Sequence, residues 1–170
     1  GEAIARRFAT AGASLFLVDR DGEALRRVAE DLGAAHCRVD LTDAAAVGAS
    51  IAQMVSRFGG VDGVVSNAGI APQAAMDACP DTLLRQSFEV NFFAHQSVAS
   101  EAMRVMRRQG SGGFLLFNAS KAALDPGKGF GPYAIAKAAL LALMKQYALE
   151  GGEHGIRANA INADRVRTPL

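Results

Sequence analysis

Apolar positions along the chain fall into short continuous runs that alternate with stretches of helical period. Ile4, Phe8 and the alanines between them mark a first helix, stopped near Gly12. Ser14-Leu15-Phe16-Leu17-Val18 then runs apolar without alternation up to Asp19, which suits a strand covered on both faces, as in a parallel sheet. A second helix opens at Asp21 or Gly22, carries Leu25, Val28 and Leu32 on one stripe, and closes at Gly33. Cys37-Arg38-Val39 leads to Asp40, and Thr42-Asp43 caps a helix that reaches Phe58 before Gly59-Gly60. Val61 to Ser66 is the next strand, with a loop at Asn67-Ala68-Gly69. One long helix is expected over residues 81–108, a strand over 114–117, a Gly/Pro-rich loop over 125–132, a helix over 133–150 and a strand over 157–161. Short apolar runs alternating with helices argue for an α/β fold with a parallel sheet, and right-handed crossovers place helices on both of its faces.

Such sheets bind ligands beyond the carboxyl ends of their strands. Asp19, Asp40, Asn67, Ser120 and Asn162 all fall at those ends. Polar residues also collect there because the chain surfaces, so position alone leaves both readings open.

Composition narrows the function classes. A chain of 170 residues suits one domain. Its 18 basic and 17 acidic residues give a net charge of +1, which offers no electrostatic footprint for nucleic acid or an anionic membrane. No apolar stretch approaches the roughly 18 residues of a spanning helix, and residues 138–144 form only a short core run. Cys37 and Cys79 read as buried, reduced thiols, and His36, His95 and His154 lack ligand spacing, so no metal site is expected. His95 is near Asn91 on the same helix and reads as a packing residue. With no signal-peptide pattern, the expectation is a soluble cytoplasmic protein. The start at Gly1, directly into a helix, reads as a piece of a longer chain.

Tyr133 and Lys137 are four positions apart on a helix, so their side chains leave the same face. A phenol is a poor base at neutral pH, and a nearby ammonium favours the phenolate. Tyr133 can then exchange a proton with an alcohol or carbonyl oxygen, while Ser120 supplies a hydroxyl hydrogen bond to the same oxygen. A Tyr-x-x-x-Lys pair also occurs by chance on surface helices, so the surroundings must decide.

Those surroundings resemble the short-chain dehydrogenase/reductase family from end to end. Ser120 followed by Tyr133-Ala-Ile-Ala-Lys137-Ala-Ala-Leu is similar to its active-site segment, and Ser66-Asn67-Ala68-Gly69 to its Asn-Asn-Ala-Gly loop. Phe88-Glu89-Val90-Asn91 resembles the helix segment whose Asn joins the catalytic set. Val39-Asp40-Leu41-Thr42-Asp43 resembles the loop that touches adenine, and residues 156–162 the strand before the nicotinamide loop. The resemblance implies a Rossmann-like, doubly wound, three-layer αβα fold and hydride transfer between a nicotinamide and a small alcohol or carbonyl. By position it makes Tyr133 the acid/base, Ser120 the holder of the substrate oxygen, and Lys137 the ribose-binding cation; Asn91 supports a water linking Lys137 to solvent. It places Gly1, Asp19, Asp40, Leu41, Asn67, Ala68, Gly69, Tyr133, Lys137 and Thr168 at the cofactor. Asp19 can accept bonds from the ribose hydroxyls and would repel a 2′-phosphate, which favours NAD over NADP, although Arg20 beside it could meet that phosphate. Asp19 could instead merely cap the following helix.

Several departures accompany the match. Gly1 is similar to the last glycine of the family's phosphate loop, and the strand and glycines before it are missing, as are the C-terminal lid and final strand after Thr168-Pro169-Leu170. In the expected 3-2-1-4-5-6 order the missing strand is the middle one, so this fragment is expected to bind cofactor poorly and to be inactive by itself. Ala163-Asp164 stands where the family usually has Pro-Gly, with Arg165 or Arg167 as candidate partners for the charge. Details around Ser66, Asn91 and Asn162 resemble the dehydrogenase half of bifunctional aldolase/short-chain dehydrogenases, which implies lactaldehyde or sugar-related substrates and fusion to an aldolase domain. The family also implies a homo-oligomer formed through the two long helices, where Leu141 and Met144 are either outer positions or core. Two alternatives stand beside the enzyme: a non-catalytic cofactor-binding or scaffold protein on the same fold, and a flavodoxin-like module with another strand order.

Overall fold

The computed structural model describes residues 1–164 and 166; Arg165 and residues 167–170, including Thr168, lie outside the described residues. Helices and strands alternate as α1 (Glu2–Thr10), β1 (Phe16–Asp19), α2 (Gly22–Leu32), β2 (Ala35–Arg38), α3 (Ala44–Phe58) and β3 (Gly63–Ser66). The second half holds α4 (Asp81–Phe88), α5 (Ala94–Gln109), β4 (Gly113–Asn118), α6 (Gly131–Gly152) and β5 (Ile156–Ile161). All pairing within the two ladders is parallel: β1 with β2, and β3-β4-β5 with β4 in the middle. These orders are what 3-2-1-4-5-6 gives when the strand numbered 1 is left out. The α/β class is as the pattern implied, and the Rossmann-like arrangement is as the resemblance implied.

Local chemistry sets the boundaries. Asp21 caps α2 by accepting from the Ala24 N–H at 3.1 Å, and Gly33 ends it in the left-handed conformation (φ 61°). Asp43 caps α3 through the Ala45 and Ala46 N–H groups, each at 3.0 Å. Pro132 sits in the first turn of α6, where its missing N–H costs nothing, so that helix begins two residues before Tyr133.

The core joins β3, β4 and β5 to the helices on either side, with Phe117, Leu115, Met106, Leu140 and Ile156 fully buried. Phe16 of β1 packs against the same cluster, and Phe8 of α1 stacks on Phe114 of β4 with ring centroids 6.4 Å apart.

Two expectations need correction. The long helix over residues 81–108 is interrupted: Glu89–Phe93 form a π-turn between α4 and α5. Cys37 and Cys79 are free thiols but only half-buried. Of the two readings left open for Leu141 and Met144, the structure takes the core one: Leu141 is buried, and Met144 packs against the core cluster. Outward on α6 stand Ile135 (44% exposed), Ala138, Ala142 and Leu149 (75%).

Candidate functional site

The ends of β3 and β4, the π-turn and the first turns of α6 meet at one place. Lys137 is 3% exposed and donates from Nζ to the Asn118 carbonyl at 2.8 Å. Burial lowers its pKa to about 8, because an ammonium loses its hydration there. One turn earlier on α6, the Tyr133 ring lies with its centroid 5.9 Å from that nitrogen.

Gly69 shows how closely the other partners approach. A Cβ at this position would lie 3.1 Å from Asn91 Oδ1 and 3.5 Å from Lys137 Nζ. A side chain here would press on Asn91 Oδ1 and touch the Lys137 ammonium, so glycine gives the loop its easiest passage between them. Asn91 is fully buried and grips the next residue both ways: Oδ1 accepts from the Ile70 N–H at 3.1 Å, and Nδ2 donates to the Ile70 carbonyl at 3.0 Å. Nδ2 also donates to Ser87 Oγ at 3.1 Å, and Ser87 donates to the Pro132 carbonyl at 2.8 Å, tying α4 to the start of α6. Asn118 Nδ2 donates to Asn67 Oδ1 at 3.0 Å, so the loop after β3 is also held from β4.

Ser120 follows β4 in extended conformation (φ −163°, ψ 152°) and opens the 3-10 turn Lys121–Ala123, against which α6 packs. Its Oγ accepts from the Ala122 N–H at 3.2 Å. That bond uses a lone pair and leaves the hydroxyl proton available to another acceptor. Asp164, the charge in place of the family's Pro-Gly, lies 3.8 Å from Lys121 Nζ, which also approaches Asp125. Arg165 and Arg167 lie outside the described residues.

A second polar region lies at the ends of β1 and β2. Asp19 Oδ1 accepts from the Asp21 N–H at 3.0 Å, so Asp19 shapes the turn while Asp21 does the capping. Arg20, Asp21, Arg38 and Asp40 line an open cavity of about 620 Å³. Arg38 Nε donates to the Arg20 carbonyl at 3.0 Å. Asp40 takes both the N–H and the hydroxyl of Thr42, at 3.0 and 2.8 Å, and those bonds hold its carboxyl below the usual range. Leu41 follows, half-buried. Gly1 approaches the first region, since a Cβ there would lie 3.5 Å from Asn67 Nδ2.

Tyr133, Lys137, Asn91 and the Asn67–Gly69 loop thus meet beyond the ends of β3 and β4, where Ser120 also follows β4, while Asp19, Asp40 and Leu41 line the ends of β1 and β2. Ile70 and Asn118 entered the sequence reading only as part of the motif likeness, and Ser87 not at all. One signal was available: Ser87, Asn91 and His95 recur every four residues as a polar stripe on a face that is otherwise apolar. Four residues of α-helix overshoot a full turn by about 40°, and the wider π-turn takes up that drift, leaving all three buried together. Among the described residues no group of His, Cys, Asp and Glu could hold a metal ion, and no helix is long and apolar enough to cross a membrane.

Comparison with known proteins points the same way. A family model described as enoyl-(acyl carrier protein) reductase matches residues 1–170. The chain is similar to 2,5-dichloro-2,5-cyclohexadiene-1,4-diol dehydrogenase of Sphingobium indicum, 33% identical over 174 residues that cover 100% of this chain and 69% of that one. The structure resembles a 7α-hydroxysteroid dehydrogenase solved with NADH and 7-oxo glycochenodeoxycholic acid (TM-score 0.89, 34% identity, 95% of this chain and 65% of that one). It also resembles an alcohol dehydrogenase from Thermococcus sibiricus solved with 5-hydroxy-NADP (TM-score 0.91, 26% identity, 99% and 72%). Against other curated relatives the chain spans 25%, 64% and 65% of their length.

Proposed function

This chain belongs to the short-chain dehydrogenase/reductase family, and on that premise we propose that it carries the site of a nicotinamide-dependent oxidoreductase acting on a small alcohol or carbonyl. The observation that carries the reading is the meeting of a buried ammonium, a phenol one turn away and the Asn91–Gly69 contact at one sheet edge. When bound, the nicotinamide supplies the hydride acceptor or donor. Tyr133 exchanges the proton at the substrate oxygen. Ser120 donates its free hydroxyl hydrogen to that oxygen, because its lone pair is engaged by Ala122. Lys137, fixed by the Asn118 carbonyl, keeps two N–H donors for a ribose hydroxyl and for the relay past Asn91.

The residues present fit such a cofactor. Gly69 lets the loop approach Asn91 and Lys137 closely, and the cavity beside Asp19 and Asp40 is lined by groups suited to an adenosine. Asp19 keeps one carboxylate oxygen for ribose hydroxyls and opposes a 2′-phosphate, which supports NAD over NADP; Arg20 and Arg38 temper that preference without reversing it. Sugar-related substrates or lactaldehyde, and a fused aldolase domain, follow from the motif likeness, and the flanking coding sequence tests the fusion.

The exposed apolar stripe of α6 at Ile135, Ala138, Ala142 and Leu149 supports association through the long helices. Sedimentation of the purified protein is expected to show a dimer or tetramer, and Ile135→Glu to shift it towards monomer.

The function is tested in the protein extended by its flanking coding sequence, by following NADH absorbance with a panel of small polyols, aldoses and hydroxyaldehydes. Tyr133→Phe is expected to lower turnover by about 10²–10⁴-fold, the usual size of acid–base catalysis, with NADH affinity little changed. Undiminished turnover in that variant removes Tyr133 from the mechanism. A protein that binds NADH but turns over none of the panel favours the non-catalytic alternative.

A further inference from the structure

The loop after β3 is held at both of its ends by one helical segment. At the far end Asn91 grips Ile70. At the near end His95, one turn beyond, meets Ser66, whose hydroxyl lies 2.7 Å from its Nδ1. His95 is 1% exposed, and its Nε2 has no hydrogen-bond partner.

A residue needed only for packing has no use for an imidazole here. Burying a polar nitrogen without a partner costs about 1–3 kcal/mol, and a leucine of similar bulk would avoid that cost. The ring is uncharged: burial, with the nearby Lys137 charge, lowers its pKa to about 3, and the Ala68 carbonyl opposes this only in part. A neutral imidazole has one donor and one acceptor, and its Nδ1 shares one hydrogen bond with the Ser66 hydroxyl. Ser66 itself stands where the family's loop usually has Asn, so the residue that departs from the pattern is the one His95 holds.

We propose that His95 is a positioning residue: through Ser66 it fixes where the Ser66–Gly69 loop lies against the cofactor and against Lys137. The proposal rests on the reading of that loop as a nicotinamide-binding element and goes beyond it by assigning the side chain that sets its place. Asn91 and His95 act as two anchors on the same buried stripe, one at each end of a loop whose middle, Asn67, is held from Asn118.

The test compares His95→Leu, His95→Asn and Ser66→Ala in the purified protein extended by its flanking coding sequence. Asparagine places a hydrogen-bonding atom near the position of Nδ1, whereas leucine keeps only bulk. Titrating NADH by its own fluorescence, His95→Leu and Ser66→Ala should each weaken binding by about tenfold, the effect of one buried hydrogen bond near 1.4 kcal/mol. The double variant should be no weaker than either, and His95→Asn should recover most of the loss. Thermal midpoints should not follow this order, since leucine removes the unpartnered nitrogen. Equal NADH affinity in wild type, His95→Leu and Ser66→Ala overturns the proposal. If wild type binds neither NADH nor NADPH, the cofactor reading fails instead, and amide exchange still decides the positioning. His95→Leu should then speed exchange at residues 68–70 by about tenfold relative to β4, and unchanged exchange overturns it. Ser66→Ala, which removes only a hydroxyl, serves should the leucine variant not fold.

Discussion

At the scale of single residues, Lys137 is the group whose cost is most exposed to measurement. Its folded pKa of about 8 lies below the ordinary 10.5, so between these values the unfolded chain binds more protons than the folded one. Stability therefore rises with pH across that window, and the full penalty is present below pH 8. Relative to Lys137→Met, the wild-type protein should gain on the order of 3 kcal/mol between pH 8 and 10.5, read as the difference between urea midpoints of the two proteins. A flat difference would mean that the ammonium is as well solvated as in water. Gly69 is the matching constraint on the backbone side, since the space its missing side chain leaves is filled by Asn91 and Lys137. Lys137 was singled out in the sequence for its chemistry and Gly69 for its motif likeness. Their mutual distance was not in it, because residues 69, 91 and 137 meet only across three different elements.

At the scale of elements, caps and stops were legible because they are local chemistry. Asp43 was read as a cap and accepts two N–H bonds; Asp43→Ala should destabilise the protein by about 1 kcal/mol, seen as a lower denaturant midpoint with unchanged slope. The long helix was legible in its extent and not in its interruption. Nothing in Phe88-Glu89-Val90-Asn91 announces a π-turn, since the turn is stabilised from outside, by Asn91 reaching the Ile70 backbone. Its consequence was partly legible, as the four-residue spacing of Ser87, Asn91 and His95. The exposure of the α6 stripe shows the same limit. Both Leu141 and Ala142 are apolar, and only packing against the sheet decides that the first is core and the second faces out.

At the scale of the whole molecule, β1-β2 and β3-β4-β5 share side-chain contacts through Phe16 but no ladder among the described residues. A two-stranded ladder is marginal without further pairing. Amides of β1 and β2 should therefore exchange faster than those of β4, which is paired on both sides; equal protection in the two groups would contradict this. Parallel strands, helices on both faces and polar residues at the strand ends were determined by the sequence itself, since periodicity and capping act over a few neighbouring residues. So was the set of chemical groups, as types in order along the chain. Which of them share a site was decided by the tertiary structure, because burial and hydrogen bonding between distant segments depend on where the elements pack. That packing turned His95 from an ordinary core residue into the neutral partner of Ser66, and brought Lys137 out of water and against the Asn118 carbonyl.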